Sequence, residues 1–278
     1  MRKAAFQEYA IATRHNVSRL PSNISVAQGA SLGVAYVAAV LALGVSLGLD
    51  FSRGQGKRGR DLWQLVQDLP AGSLPSDVAG ECLSGIREDE RPQVGEWIAI
   101  WGGSSTSALF LSQLAQLAGL KVILIVDLAK HGAKLIDRGG SVLVDGHDPA
   151  RALAVIRALS GGRLRFAIDT VGKDTAGHLL EALAAPVEGS QLRSHIVGLS
   201  GLPKTLKDGV IGHNVPIKIF HEVPLVGSTM MAWLEELLDG GLVLPEIDVA
   251  EGGLGGVNDA LDRMRRGEIS GRRLVIPL

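Results

Sequence analysis

The chain has 278 residues, 46% hydrophobic and 21% charged, which is enough apolar material for a large buried core and excludes a disordered or fibrous chain. Its net charge of −1 gives no global attraction to nucleic acid or to a membrane surface. The one cysteine, Cys82, excludes an internal disulfide framework and a cysteine-cluster zinc site, and points to a reducing compartment, the cytoplasm.

Ala5–Ala12, AFQEYAIA, partly alternates apolar and polar residues and reads as a strand, with no partner encoded nearby. A loop through Pro21 and Ser22 follows. Ser25–Leu49 is free of charge and rich in Ala, Gly, Val and Leu. Its length alone would span a bilayer. Gln28, the interspersed serines and glycines and the lack of an aromatic belt favour instead a helix buried between subdomains.

Asp50–Glu96 changes character. Arg53, Lys57, Arg58 and Arg60 lie among glycines, a short amphipathic turn falls at Trp63–Val66, and Pro70, Pro75 and Pro92 punctuate a polar stretch. It reads as a long surface insertion with a solvated basic cluster, and Cys82 within it as a loop thiol rather than a nucleophile.

Gly95–Asp127 is the centre of the chain. Trp97–Trp101 is a charge-free run of strand length; Gly102, Gly103, Ser104 and Ser105 make a turn; Ala108, Leu109, Leu111, Ala115 and Ala118 recur at helical spacing up to Gly119; Val122–Val126 is a second strand. Glycines allow a sharp bend, and the free N–H groups and dipole of the following helix favour a phosphate. The turn departs from G-x-G-x-x-G, with Ser105 and Ala108 where further glycines are usual, so an ordinary strand–helix turn is the competing reading. Asp127 ends the second strand where an acidic residue commonly binds the adenosine ribose; the alternative is a helix cap.

Beyond Asp127 the pattern predicts a helix to Arg138, a strand at Val142–Val144, a helix at Ala150–Leu159, a strand at Arg165–Asp169, a helix at Thr175–Leu183 and a strand at Ser194–Gly198. Such alternation predicts a doubly wound parallel α/β sheet, with Trp101, Val126, Asp169 and Gly198 along one edge, where ligands bind. In the tail, Ile217–His221 and Val223–Gly227 read as strands, Met231–Leu238 and Ala260–Arg266 as helices and Arg273–Leu278 as a last strand. His147 and His213 read as loop residues, His195 and His221 as structural histidines, and Asp169 as a turn or cofactor-edge residue.

WGGSSTS after a strand, AIDTVG at Ala167–Gly172, KIFHEVP at Lys218–Pro224, WLEELLDGG from Trp233, EGGLGGVNDAL from Glu251 and the terminal GEISGRRLVIPL occur in an order that resembles the medium-chain dehydrogenase/reductase superfamily. More narrowly, the chain is similar to the fungal zinc-independent branch of quinone-oxidoreductase-like enzymes and trans-acting enoyl reductases of polyketide pathways. The resemblance implies a Rossmann domain over residues 95–258, a remnant of a GroES-like β subdomain with its connecting helix over 1–50, the insertion over 51–94, and a returning helix and strand over 259–278. AFQEYAIA resembles the end of the GroES-like subdomain, so the chain reads as N-terminally truncated.

Carried over by position, Ser104, Ser105, Thr106 and Ser107 would bind the pyrophosphate beside Gly102 and Gly103, and Asp127, Lys130 and His131 would flank the adenosine ribose. Ile168 and Asp169 would lie along the cofactor. Val197, Gly198 and Leu199 would meet the nicotinamide amide through backbone groups, with Ile269 and Ser270 nearby. The resemblance implies NADP(H), whereas the carboxylate of Asp127 argues for NAD(H). It also implies hydride transfer to an activated C=C or a quinone, without zinc, on a small-molecule substrate such as an enoyl chain, by a monomer or homodimer. No catalytic acid is assigned; Tyr9 is the one candidate named. The competing reading is a non-catalytic dinucleotide-binding module.

Overall fold

The computed structural model describes residues 7–53, 59–185 and 192–277. Residues 7–12 form no strand, and Tyr9 and Ile11 are exposed, which corrects the strand expected over Ala5–Ala12; Ala5 and Phe6 lie outside the described residues. An alternating pattern forms a strand only where a neighbour supplies the ladder, and among the described residues no strand pairs with this segment.

Ser25–Leu49 is not one helix. It divides into α1 (Val26–Ala30), α2 (Gly33–Leu41) and a π-helical turn at Ala42–Ser46. Ser25 and Gln28 start α1 with a reciprocal capping box. The π turn lies against Phe51 and Leu62, so close that a Cβ on Gly44 would come 2.8 Å from Phe51 Cε2. Among the described residues no helix is long and apolar enough to cross a membrane.

The segment expected as a surface insertion sends some of its side chains into the core and leaves most of its described residues exposed or half-buried. Phe51, the helices α3 (Leu62–Gln67) and α4 (Ala79–Ser84), and Ile86 bury Leu62, Trp63, Val66 and Cys82 in the main apolar cluster. Arg91 ties this segment down: Nε donates to Gly48 O at 2.7 Å, Nη2 pairs with Asp61 at 2.7 Å, and the guanidinium stacks 4.6 Å over Trp63. Cys82 is therefore no loop thiol; burial, then the charge of Glu81, pushes its pKa up to about 12 and keeps it inert. Of the basic cluster, Lys57 and Arg58 lie outside the described residues, while Arg53 pairs with Asp50 at 2.8 Å.

The central sheet holds β1 (Trp97–Trp101), β2 (Lys121–Val126), β3 (Ser141–Asp145), β4 (Phe166–Asp169), β5 (Ser194–Gly198) and β6 (Val210–His213) in the order β3-β2-β1-β4-β5-β6, every neighbouring pair parallel. The short apolar runs suit strands buried on both faces. Ile98, Ile100, Val122, Leu124, Phe166, Ile168 and Val197 point to one face; Ala99, Trp101, Ile123, Ile125, Ala167 and Ile196 point to the other. The helices α5 (Thr106–Leu117) and α6 (Leu128–Arg138) follow β1 and β2, with α2 packed on α5 on the first face. The second face is covered by α7 (Pro149–Ser160) and α8 (Lys173–Ala182).

After β6 come α9 (Lys218–Glu222) and α10 (Pro224–Asp239), correcting the two strands expected at Ile217–His221 and Val223–Gly227. Pro224 stands in the first turn of α10, where its missing N–H costs nothing, and α10 buries Val226, Met230, Met231, Trp233 and Leu234. Met230 O accepts the buried hydroxyl of Tyr36 at 2.9 Å, joining α10 to α2. The chain ends with β7 (Ile247–Val249), α11 (Val257–Arg265) and β8 (Arg273–Val275), β7 and β8 forming a separate parallel pair. Leu278 lies outside the described residues.

Candidate dinucleotide site

Strand order reverses between β1 and β4, which opens a crevice at the carboxyl ends of the strands. Gly102, φ +85°, makes the turn out of β1, and a Cβ there would stand 2.2 Å from Thr170 Oγ1. A Cβ on Gly103 would come 2.9 Å from that of Leu124. The amides of both glycines already bond Ile125 O, at 3.0 and 2.9 Å, so these residues shape the turn and offer no donor to a ligand.

Ser105 caps α5, its Oγ accepting Ala108 N at 3.1 Å and donating to Thr170 Oγ1 at 3.0 Å. Thr170 Oγ1 donates to the carbonyls of Trp101 and Gly102, at 3.0 and 3.2 Å. No described residue accepts from the amides of Ser104, Thr106 or Ser107, and the three residues are half-buried rather than sealed. Three free N–H groups at a helix N-terminus, beside a turn too tight for a Cβ, fit a diphosphate. Thr170 is the residue that sequence reasoning missed; it lies within the AIDTVG motif, but nothing in the motif marks its hydroxyl as the hub of the turn.

Asp127 caps α6: Oδ1 accepts Lys130 N at 3.1 Å, and Oδ2 lies 3.3 Å from Lys130 Nζ and 3.5 Å from His147 Nε2. Burial, the largest influence, raises its pKa, but the Lys130 amide and side chain and His147 outweigh it and hold the carboxyl below the usual range. Asp145 bonds His147 at 3.0 Å and raises the pKa of that imidazole. Cap and candidate ribose ligand are thus the same residue, with cations within reach of it.

His131 faces the tail, its Nε2 3.0 Å from Ser270 Oγ, and Lys134 Nζ donates to Gly271 O at 2.9 Å. Burial lowers the pKa of His131. Ser270 therefore stands at the α6 side of the crevice, with half-buried Ile269 next to it in the chain.

The expected nicotinamide end is more deeply built. Ile168 and Val197 are fully buried in the core, so their side chains face no ligand, and Gly198 is buried in β5. Leu199 is half-buried and its amide bonds Asp169 O at 2.9 Å. Asp169 is a turn residue: Oδ1 accepts Val171 N and Gly172 N at 2.9 and 2.7 Å, and the nearby Thr175 hydroxyl donates to Gly172 O, leaving Oδ2 without a hydrogen bond. Burial raises its pKa against the lowering pull of Thr175 and the two amides. Tyr9 is 88% exposed and in no strand. The ring of His221 makes an edge contact with Phe220, and its backbone carbonyl takes the bond from His15. His213, expected in a loop, ends β6 fully buried. Among the described residues no group of three or more His, Cys, Asp or Glu could hold a metal ion.

No family model matches the sequence. The chain is similar to trans-enoyl reductases of Penicillium sp. (23% identical, 99% of this chain and 72% of that protein), Fusarium sp. (27%, 99% and 71%) and Aspergillus niger (28%, 98% and 70%). Its fold is similar to those of a CurK enoyl reductase (TM-score 0.64, 12% identical, 96% of this chain and 67% of that one), a mycobacterial protein complexed with NADPH (0.65, 15%, 96% and 69%) and an NADPH:quinone reductase of Bacillus thuringiensis (0.62, 14%, 95% and 68%). Relatives aligned over almost its whole length and a parallel sheet whose strand order reverses beside the Gly102 turn make the chain similar to the fungal trans-enoyl reductases, with a fold like that of enoyl and quinone reductases.

Proposed function

We propose that this chain binds a reduced nicotinamide dinucleotide and passes hydride to an activated C=C, as in an enone or enoyl thioester, or to a quinone. The observation that carries the reading is the set of free amides of Ser104, Thr106 and Ser107 at the strand-order reversal. The reductase names of the relatives support it. When bound, the dinucleotide supplies the hydride. The chain's residues hold and orient it: the three amides and their hydroxyls on the diphosphate, Asp127, Lys130 and His131 around the adenosine ribose, and the Gly198–Leu199 backbone at the far end.

A phosphate on the ribose would meet Lys130 and His147 as well as Asp127, so NADPH is the proposed cofactor and NADH its competitor. A second reading, a module that holds dinucleotide without turnover, is supported by the state of the strand ends. The only ionisable side chains in β4 and β5 are Asp169 and His195, and both are fully buried.

Fluorescence titration with NADPH and NADH, followed by oxidation assays with an α,β-unsaturated acyl thioester and a benzoquinone, tests both. Binding with turnover supports the reductase, binding alone the module, and binding of neither coenzyme removes both.

A further inference from the structure

Away from the crevice, four ionisable side chains form one buried line. Glu81 Oε1 of α4 lies 2.9 Å from His213 Nδ1 of β6; His213 Nε2 lies 2.9 Å from His195 Nδ1 of β5; His195 Nε2 lies 3.6 Å from Glu90 Oε2 in the turn Glu88–Glu90. Both imidazoles and Glu90 are fully buried. The rings stack with centroids 5.2 Å apart, and Phe166 covers the other face of His195 at 6.0 Å.

Counting protons along the line shows how narrow its tolerance is. With both rings neutral and His213 donating to Glu81, His213 Nε2 must accept from His195 Nδ1, and His195 Nε2 is left bare opposite a carboxylate, without a hydrogen bond. One added proton, on His195 Nε2, would face Glu90 Oε2 at 3.6 Å, beyond hydrogen-bond reach, inside a fully buried site. Two added protons place N–H against N–H at 2.9 Å and break the central bond.

We propose that His195 and His213 form an acid-released clamp that fastens α4 and the Glu88–Glu90 turn to the β5–β6 edge of the sheet, closed with both rings neutral and one N–H joining them, and opened by protonation. The inference stands independently of the dinucleotide reading. The groups that face His195 are His213, Glu90, Arg193 and Arg165; those that face His213 are His195 and Glu81. Glu90 also takes Arg193 Nε and Nη2, each at 2.7 Å, the Arg87 amide at 3.2 Å and an ion pair with Arg87. Burial, then His213, pulls the pKa of His195 down to about 3, against the raising pull of Glu90. The usual imidazole value is 6.5, so the folded clamp resists a proton that the released ring takes readily, and acid favours release across the interval from 6.5 to about 3.

Hydrogen exchange on the full chain, corrected for intrinsic rates and followed from pH 7.5 to 5, tests the clamp. The opening equilibrium of residues 79–94 and of β6 is expected to rise by up to about tenfold per pH unit below 6.5, while β1 and β2 keep their protection. His195→Gln, which removes the ring that resists the proton and keeps a neutral donor and acceptor, is expected to flatten that slope. Should the variant not fold, ¹⁵N-imidazole spectra of the unaltered protein decide: a proton coupled between His195 Nδ1 and His213 Nε2 supports the clamp. Two rings titrating independently near 6.5, or acid exchange spread evenly over the chain, would overturn it.

Discussion

The Ser105 hydroxyl lies 3.0 Å from that of Thr170, linking the cap of α5 to the end of β4 across the point where strand order reverses. Because Thr170 also holds the carbonyls of Trp101 and Gly102, one short chain of hydroxyls sets the geometry of the candidate diphosphate turn. Ser105→Ala removes both the cap and the link. It is expected to cost about 1 kcal/mol in urea denaturation and to weaken NADPH binding roughly tenfold in the fluorescence titration. Unchanged affinity would separate the cap from the site.

Gly102 is held by two constraints, its φ of +85° and the 2.2 Å approach of Thr170 Oγ1 to any Cβ. Gly95 has nearly the same φ, +87°, with nothing within 4 Å of its Cβ position. Gly102→Ala is therefore expected to lose about 2 kcal/mol or more and Gly95→Ala about 1. Equal melting-temperature losses would show that backbone strain alone governs the turn.

Asp127 decides between coenzymes if the proposed site is correct. Asp127→Asn keeps a side-chain acceptor for the Lys130 amide while removing the charge that would oppose a ribose phosphate. Its NADPH-to-NADH affinity ratio is expected to rise about tenfold, and that of Lys130→Ala to fall. A ratio insensitive to both, in competitive titration, would place the ribose elsewhere.

Glu90 ties acid stability to the segment before the sheet. Burial, its largest influence, raises its pKa, yet the Arg193 side chain, the Arg87 and Arg193 amides and His195 together bring it to about 2, below the usual 4.5. A depressed carboxyl stabilises the fold fully above 4.5 and loses that contribution as pH falls toward 2. Glu90→Gln is expected to lose about 3 kcal/mol at pH 7, by leaving Arg193 without its charged partner, and to show a shallower decline of melting temperature between pH 4.5 and 2. An acid limb as steep as that of the unaltered chain would assign the loss to other carboxyls.

The sheet was legible wherever a strand was short, apolar and followed by a helical period. Trp97–Trp101 and Ser194–Gly198 coincide with β1 and β5, because a run buried on both faces needs only its own apolar side chains to be recognised. The misread segments lacked such internal information. Lys218–Glu222 and Pro224–Asp239 begin with runs that fit either period; contact of α10 with α2, and of α9 with α10, settles them as helix. VIGH at Val210–His213 is too short to announce itself, and becomes β6 because β5 offers a ladder. Cys82, set among polar residues, is buried because α4 folds onto the core.

At the site the division is similar. Sequence alone determined the strand–turn–helix that runs from Trp97 through Ser107 and the acid at Asp127, since these depend on residue type and spacing along the chain. Only tertiary structure decided that Gly102 and Gly103 have their amides bonded to Ile125 O, that Thr170 governs the turn, and that two histidines 18 positions apart share one hydrogen bond. Those facts arise where separate strands lie side by side, and the distance between strands is set by the packing of the whole core.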